Sequence, residues 1–250
     1  MGTGSTGDLV PCLRLGAALT ARGHDVIAIA LEGYLPARRQ PFEVRTIPGA
    51  DDALWPTNPI ARDLALANPG VMYLSMRRKL AQLAPQVNEL LCRLVTPDTT
   101  LVSNLVTMEA GRLLATLRGA RHATLLFAPL LPATTAASNT FIPRPLSGPV
   151  GAALSRGMWA LTRELGGAYA EDLRGRVRAP DRIDARTTTV LMATSPLVSP
   201  PSPRWPDSVR QTGWFGPDLA QASPLSPGLT EFLDRHPAPL LMSFGSCAIA

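Results

Sequence analysis

Four short apolar runs, VIAIAL, TTLVSNLV, ARHATLLFAPLLP and TTTVLMATSP, alternate with longer stretches of helical periodicity. A short, continuous apolar run predicts a strand buried on both faces, the signature of a parallel sheet covered by helices. FEVRTIPG adds a further short strand and turn. The alternation therefore predicts an α/β fold with a Rossmann-like, doubly wound parallel sheet. No internal repeat is visible.

The segment DLVPCLRLGAALTARGHDV carries Val10, Leu13, Ala17 and Ala18 at helical spacing. Asp8 is placed to cap this helix, Pro11 falls in its first turn, and Gly23 closes it. NPGVMYLSMRRKLAQLAPQVNELLCRLV predicts a helix interrupted or kinked at Pro85, and TMEAGRLLATLRG another. Residues 132–149 read as loop, and VGAALSRGMWALTRELGGAYAEDLRGRV as one or two helices. TTTVLMATSP is the last clear strand before a Pro- and Trp-rich passage. A short helix at Leu229–Arg235 and a strand in PLLMSFGSCAIA follow. The expected division is residues 1–220 as the main domain, 221–238 as linker and 239–250 as the first strand of another domain. A strand should precede the first helix, yet Met1 stands where that strand would just have ended. The first strand is expected to be missing, through a misplaced start or a fragmentary chain.

No apolar run reaches the ~18 residues of a spanning helix, and no secretory signal opens the chain. The three cysteines, Cys12, Cys92 and Cys247, form no CxxC pair and fit no zinc spacing, so they read as buried thiols of a reducing cytoplasm. The net charge of +5 is carried almost wholly by scattered arginine, with Lys79 as the only lysine. That pattern argues against nucleic-acid binding. A positive surface suits a nucleotide-charged substrate or peripheral contact with an anionic membrane.

Gly2-Thr3-Gly4-Ser5-Thr6-Gly7 is G-x-G-x-x-G, and Glu32 ends the next strand where an acid would meet a ribose hydroxyl. Asp8 follows the third glycine directly. Its carboxylate would compete with a pyrophosphate for the same N–H groups and positive helix end, which counts against a nicotinamide enzyme. Asp8 itself has two readings: a helix cap, which spacing alone favours, or a catalytic base at the C-terminal edge of the sheet.

Three stretches together resemble the nucleotide-sugar-dependent glycosyltransferases of GT-B fold, in the branch of sterol glucosyltransferases and bacterial enzymes acting on antibiotics and glycolipids. They are GTGSTGDLVPCLRLGAALTARGHDV, LMATSPLVSPPSPRWPDSVRQTGWFGPD and PLLMSFGS. The resemblance implies that the chain is the N-terminal, acceptor-binding half of a GT-B fold, with a hydrophobic hydroxylated acceptor. A UDP- or dTDP-sugar donor would bind to a C-terminal domain that is missing here. It carries the general-base role over to Asp8. Gly4, Ser5, Thr6 and Gly7 become the acceptor and sugar loop, and Gly245 and Ser246 touch the donor. It implies no metal and no cofactor beyond the nucleotide sugar. The family loop often has Arg where Thr6 stands. Without the donor domain the chain is expected to be inactive or nearly so.

Asn104, at a strand end, and Glu109, opening the following helix, are candidates to line the acceptor cleft; for Glu109 the plainer alternative is charge complementarity at a helix start. His24 reads as a helix-end cap, while His122 and His236 receive no role. Trp205 and Trp214 read as domain-seam packing, and Met158, Trp159 and Leu161 as core or as an apolar acceptor wall. Arg38-Arg39 and Arg77-Arg78-Lys79 read as solvated faces. The rival readings are a lipid-linked N-acetylglucosaminyltransferase, whose loop usually carries His in place of Asp, a non-catalytic remnant or binding module, and the NAD-dependent oxidoreductase.

Overall fold

The computed structural model describes residues 6–35, 39–48, 64, 67–132, 148–177, 188–197, 199–203, 205–215 and 224–242. The chain divides into two compact units, Met1–Phe215 and Gly216–Ala250. In the first, the order is α1 (Thr6–Thr20), β1 (Ile27–Leu31), β2 (Glu43–Ile47), α2 (Pro69–Leu94), β3 (Thr100–Ser103), α3 (Met108–Arg118) and β4 (Arg121–Leu126). It continues with α4 (Gly148–Leu165), α5 (Gly167–Arg176), β5 (Thr188–Met192) and β6 (Val209–Gln211).

Among the described residues every strand pairing is parallel, as the apolar runs predict, but the strands form two sheets: β1-β2, and β3-β4-β5-β6 in that order. Both sheets border one core. Ile29, Leu31 and Ile47 of the small sheet and Leu101 of the large one share it with α2, α3 and α5. Side chains alternate across β1. Ile29 and Leu31 face that core, while Ala30 meets Leu9 and Leu13 of α1 on the opposite face. Helices thus cover both faces of the β1-β2 sheet, an α/β arrangement consistent with a Rossmann-like fold.

Several expectations at element ends are corrected. Helix α1 starts at Thr6, so Asp8 lies inside the first turn and is not the cap, and Pro11 falls in the second turn. There Pro11 removes the bond its N–H would give to Gly7. The α1 exit is as expected: Gly23 has φ 84°, and the His24 N–H closes onto the Leu19 carbonyl at 3.1 Å. Helix α2 runs through Pro85 without a break. Its start is fixed by Asn68, whose Oδ1 accepts from the N–H groups of Gly70 and Val71 at 2.9 and 3.2 Å.

The 148–176 segment is two helices, joined at Gly166, where a Cβ would collide with the Val106 carbonyl oxygen. TTTVLMATSP is not the last strand of this unit. β6 follows, with only one apolar residue in Val209–Gln211, and is held by its ladder to β5. The Gln211 Nε2 secures it by donating to the carbonyls of Ser199 at 2.8 Å and Thr194 at 3.1 Å.

The second unit contains α6 (Pro227–Arg235), started by Ser226 Oγ accepting from the Leu229 N–H at 3.4 Å. Residues 239–242, the described part of the expected strand, carry no regular structure. The rest of PLLMSFGSCAIA lies outside the described residues.

Candidate functional site

Leu9 and Leu13 cluster with Ala30 near the end of β1, while Gly16, further along α1, lies against Val26 just before the strand starts, so α1 runs antiparallel to that strand. Its N-terminal turn therefore stands at the C-terminal edge of the sheet, the edge where open α/β sheets bind ligands. Asp8 occupies this turn, partly exposed, in the positive end of the helix dipole. Gly7 is exposed beside it, and Glu32 lies at the same edge in a short 3₁₀ turn that follows β1. The Cys12 thiol donates back to the Asp8 carbonyl at 3.5 Å; burial, with the Asp8 charge adding to it, pushes that thiol's pKa up. Gly4 and Ser5 lie outside the described residues, as do Gly245 and Ser246; Thr6 is described only as the first residue of α1.

Asn104 follows β3 directly and is fully buried. Its Oδ1 accepts from Thr107 Oγ1 at 2.8 Å and from the Thr107 N–H at 3.3 Å. It is engaged in shaping the β3–α3 turn. Glu109, in the first turn of α3, sits between two arginines. Its Oε2 accepts from Arg112 at 2.7 Å and its Oε1 from Arg163 Nε, on α4, at 2.6 Å. Glu109 therefore both complements the helix dipole and ties α3 to α4, a tie that no local sequence pattern signals.

Sequence reading gave His122 no role, and the structure gives it one. It is buried in β4; Nε2 shares a hydrogen bond with Ser103 Oγ at 2.8 Å, and Nδ1 with Thr188 Oγ1 at 3.1 Å. One ring thus links β3, β4 and β5. Burial first, then the Arg112 charge, lowers its pKa to about 4, so it is neutral at physiological pH. Gly111 of α3 lies directly above: a Cβ there would fall on Ser103 Oγ and 2.9 Å from His122 Nε2. The helix covers Ser103 and His122, while Thr188 at the end of the row also lines a neighbouring cavity; the row pins the three strands together.

Arg77 is not simply solvated, since it pairs with Glu171 at 2.6 Å and Glu164 at 3.5 Å. Trp214 is largely exposed. Cys12 and Cys92 are thiols outside any disulfide and are only partly exposed, where full burial is expected, and Cys247 lies outside the described residues. Among the described residues no group of three His, Cys, Asp or Glu is placed to hold a metal, and no helix is long and apolar enough to cross a membrane. Neither the scan against protein-family models nor the search of curated proteins finds a match to this chain.

Proposed function

We propose that this chain is the acceptor-binding domain of an inverting, nucleotide-sugar-dependent hexosyltransferase of the GT-B type, with Asp8 as its general base. The observation that carries the proposal is the position of Asp8. It directly follows the glycine-rich segment, is partly exposed, and stands in the first turn of α1 at the C-terminal edge of the sheet. A carboxylate there faces the region where an acceptor would lie.

In the proposed step, the acceptor hydroxyl gives its proton to the Asp8 carboxylate as its oxygen forms the bond to the anomeric carbon of a UDP- or dTDP-hexose. The anomeric C–O bond to the nucleoside diphosphate breaks on the opposite face, which inverts the centre, and the diphosphate leaves. Exposed Gly7 gives the backbone clearance for this approach. Donor binding belongs to the C-terminal half that the resemblance implies, with no metal required.

The test assays this chain, together with any coding sequence that continues it, for transfer from UDP- and dTDP-hexoses to sterol, lipid and polyketide alcohols. Transfer is expected, and Asp8→Asn is expected to lower it by about 10²-fold with acceptor binding kept. Undiminished transfer by Asp8→Asn removes Asp8 from the chemistry. Binding of NAD, with no affinity for any nucleotide sugar, sinks the proposal as a whole.

A further inference from the structure

A cavity of about 370 Å³ lies between the large sheet, α3 and α4. No residue of α1 lines it, so it is separate from the Asp8 edge. Its size is that of a small-molecule site. The floor is the sheet face that α3 leaves uncovered: Thr124 and Leu126 of β4, Val190 of β5 and Val209 of β6. These side chains share a face because Thr124 pairs with Val190, and Val190 with Val209. Trp159 of α4 and Trp205 stand in the walls.

The charged groups in this lining are Glu109, Arg112 and Arg163. Two guanidiniums share one carboxylate, leaving an excess of one positive charge beside an apolar floor. Donors are also in surplus. Arg112 Nε and Trp205 Nε1 are buried and have no acceptor among the described residues. Buried donors without acceptors are costly, so both add to the positive character beside the cavity, whose reachable donor is Arg163. Arg163 is the more accessible cation, 42% exposed against 17% for Arg112, and its remaining N–H groups are free to turn toward a ligand.

We propose that this cavity binds a small amphipathic organic anion. Its flat apolar body lies over the Val190–Val209 floor near Trp159 and Trp205, and its acidic head meets Arg163. The site concerns binding alone and stands whether or not the chain takes part in sugar transfer.

Two probes that differ only in the acid test it. They are 1-anilinonaphthalene-8-sulfonate and N-phenyl-1-naphthylamine, the same ring system without the sulfonate. With the intact chain, the sulfonate probe is expected to bind at one saturable site, about tenfold more tightly than the neutral one, a single charge-assisted contact. Arg163→Met is expected to erase that preference while leaving the neutral probe's affinity unchanged. Val190→Trp, which fills the floor, is expected to abolish binding of both; Leu131→Trp, at the cavity's edge, replaces it if that variant fails to fold. Equal affinity for the two probes overturns the proposal. So does a preference that survives Arg163→Met, or binding that survives a folded filling variant.

Discussion

Arg163 donates its Nε–H to Glu109 at 2.6 Å across 54 residues of chain, and this bond fastens α4 to α3. Glu109 is 15% exposed, so its charge is largely dependent on Arg112 and Arg163. Glu109→Gln is expected to cost about 2 kcal/mol, between the small value of an exposed pair and the larger one of a fully buried pair. Arg163→Met, with the more exposed partner removed, is expected to cost less than about 1 kcal/mol. Urea unfolding midpoints check both.

Gly111→Ala is expected to destabilise by about 3 kcal/mol, because the new methyl falls on Ser103 Oγ and crowds His122. Ser103→Ala removes the oxygen that the methyl strikes. The double variant should therefore be more stable than the sum of the two single losses implies, by about 1 kcal/mol. Gly166→Ala meets the Val106 carbonyl, which is backbone, and no side-chain truncation should relieve it. A double-mutant cycle by chemical denaturation decides.

His122 makes stability depend on pH. Its folded pKa, about 4, lies below the ordinary histidine value of 6.5. Between these values the unfolded chain holds the proton and the folded chain does not, so stability is complete above about pH 6.5 and declines as pH falls toward 4. The full loss is about 3 kcal/mol. His122→Asn should flatten this part of the curve. Unfolding free energies of both proteins from pH 7 to pH 4 give the comparison, and parallel curves would refute it.

Asn88 is fully buried where α2 meets α5, with Nδ2 donating to the Tyr169 carbonyl at 2.7 Å and to Asp172 Oδ2 at 2.8 Å. Burial pushes the Asp172 carboxyl up, but hydrogen bonds from Arg176 and Asn88 outweigh it and hold its pKa below the usual range. Asn88→Ala is expected to cost about 2 kcal/mol, since it removes two buried hydrogen bonds, one of them to the charged Asp172. It should also raise the Asp172 pKa, visible in a carboxylate titration by NMR.

For Asp8, stability and function should separate. Inside the first turn, its charge contributes at most about 1 kcal/mol through the helix dipole. Asp8→Asn should shift the unfolding midpoint little, while the proposed transfer falls by about 10²-fold. A large stability loss with normal transfer would assign it to the helix alone.

The legible parts of this fold are those where one segment carries its own signal. VIAIAL announces β1 because a strand covered on both faces needs apolar side chains in both directions. Gly23 and Gly119 announce helix ends because each takes a left-handed φ. β6 was not legible: Val-Arg-Gln has no pattern of its own and becomes a strand through β5 beside it. The continuity of α2 through Pro85 was likewise hidden, since the packing of Ala84 and Val87 into the core outweighs the local break. Among candidate site residues, Asp8 carries two signals: spacing alone makes it a helix cap, which the start of α1 at Thr6 corrects, and the base role rests on the resemblance of its glycine-rich segment. His122 and the Glu109–Arg163 tie were invisible because their partners lie 19, 66 and 54 residues away.

The attachment of α4 has a kinetic consequence. Of its 18 residues only Gly151 and Ser155 are buried, and its ion pairs, Arg163 with Glu109 and Glu164 with Arg77, lie in its last turn. Amides in its first half should exchange with solvent hydrogen well before those of β4, without global unfolding. The helix forms one wall of the cavity, so its breathing sets how fast a bound molecule escapes. Salt, by screening the fastenings of that last turn, should quicken release more than it weakens the fold.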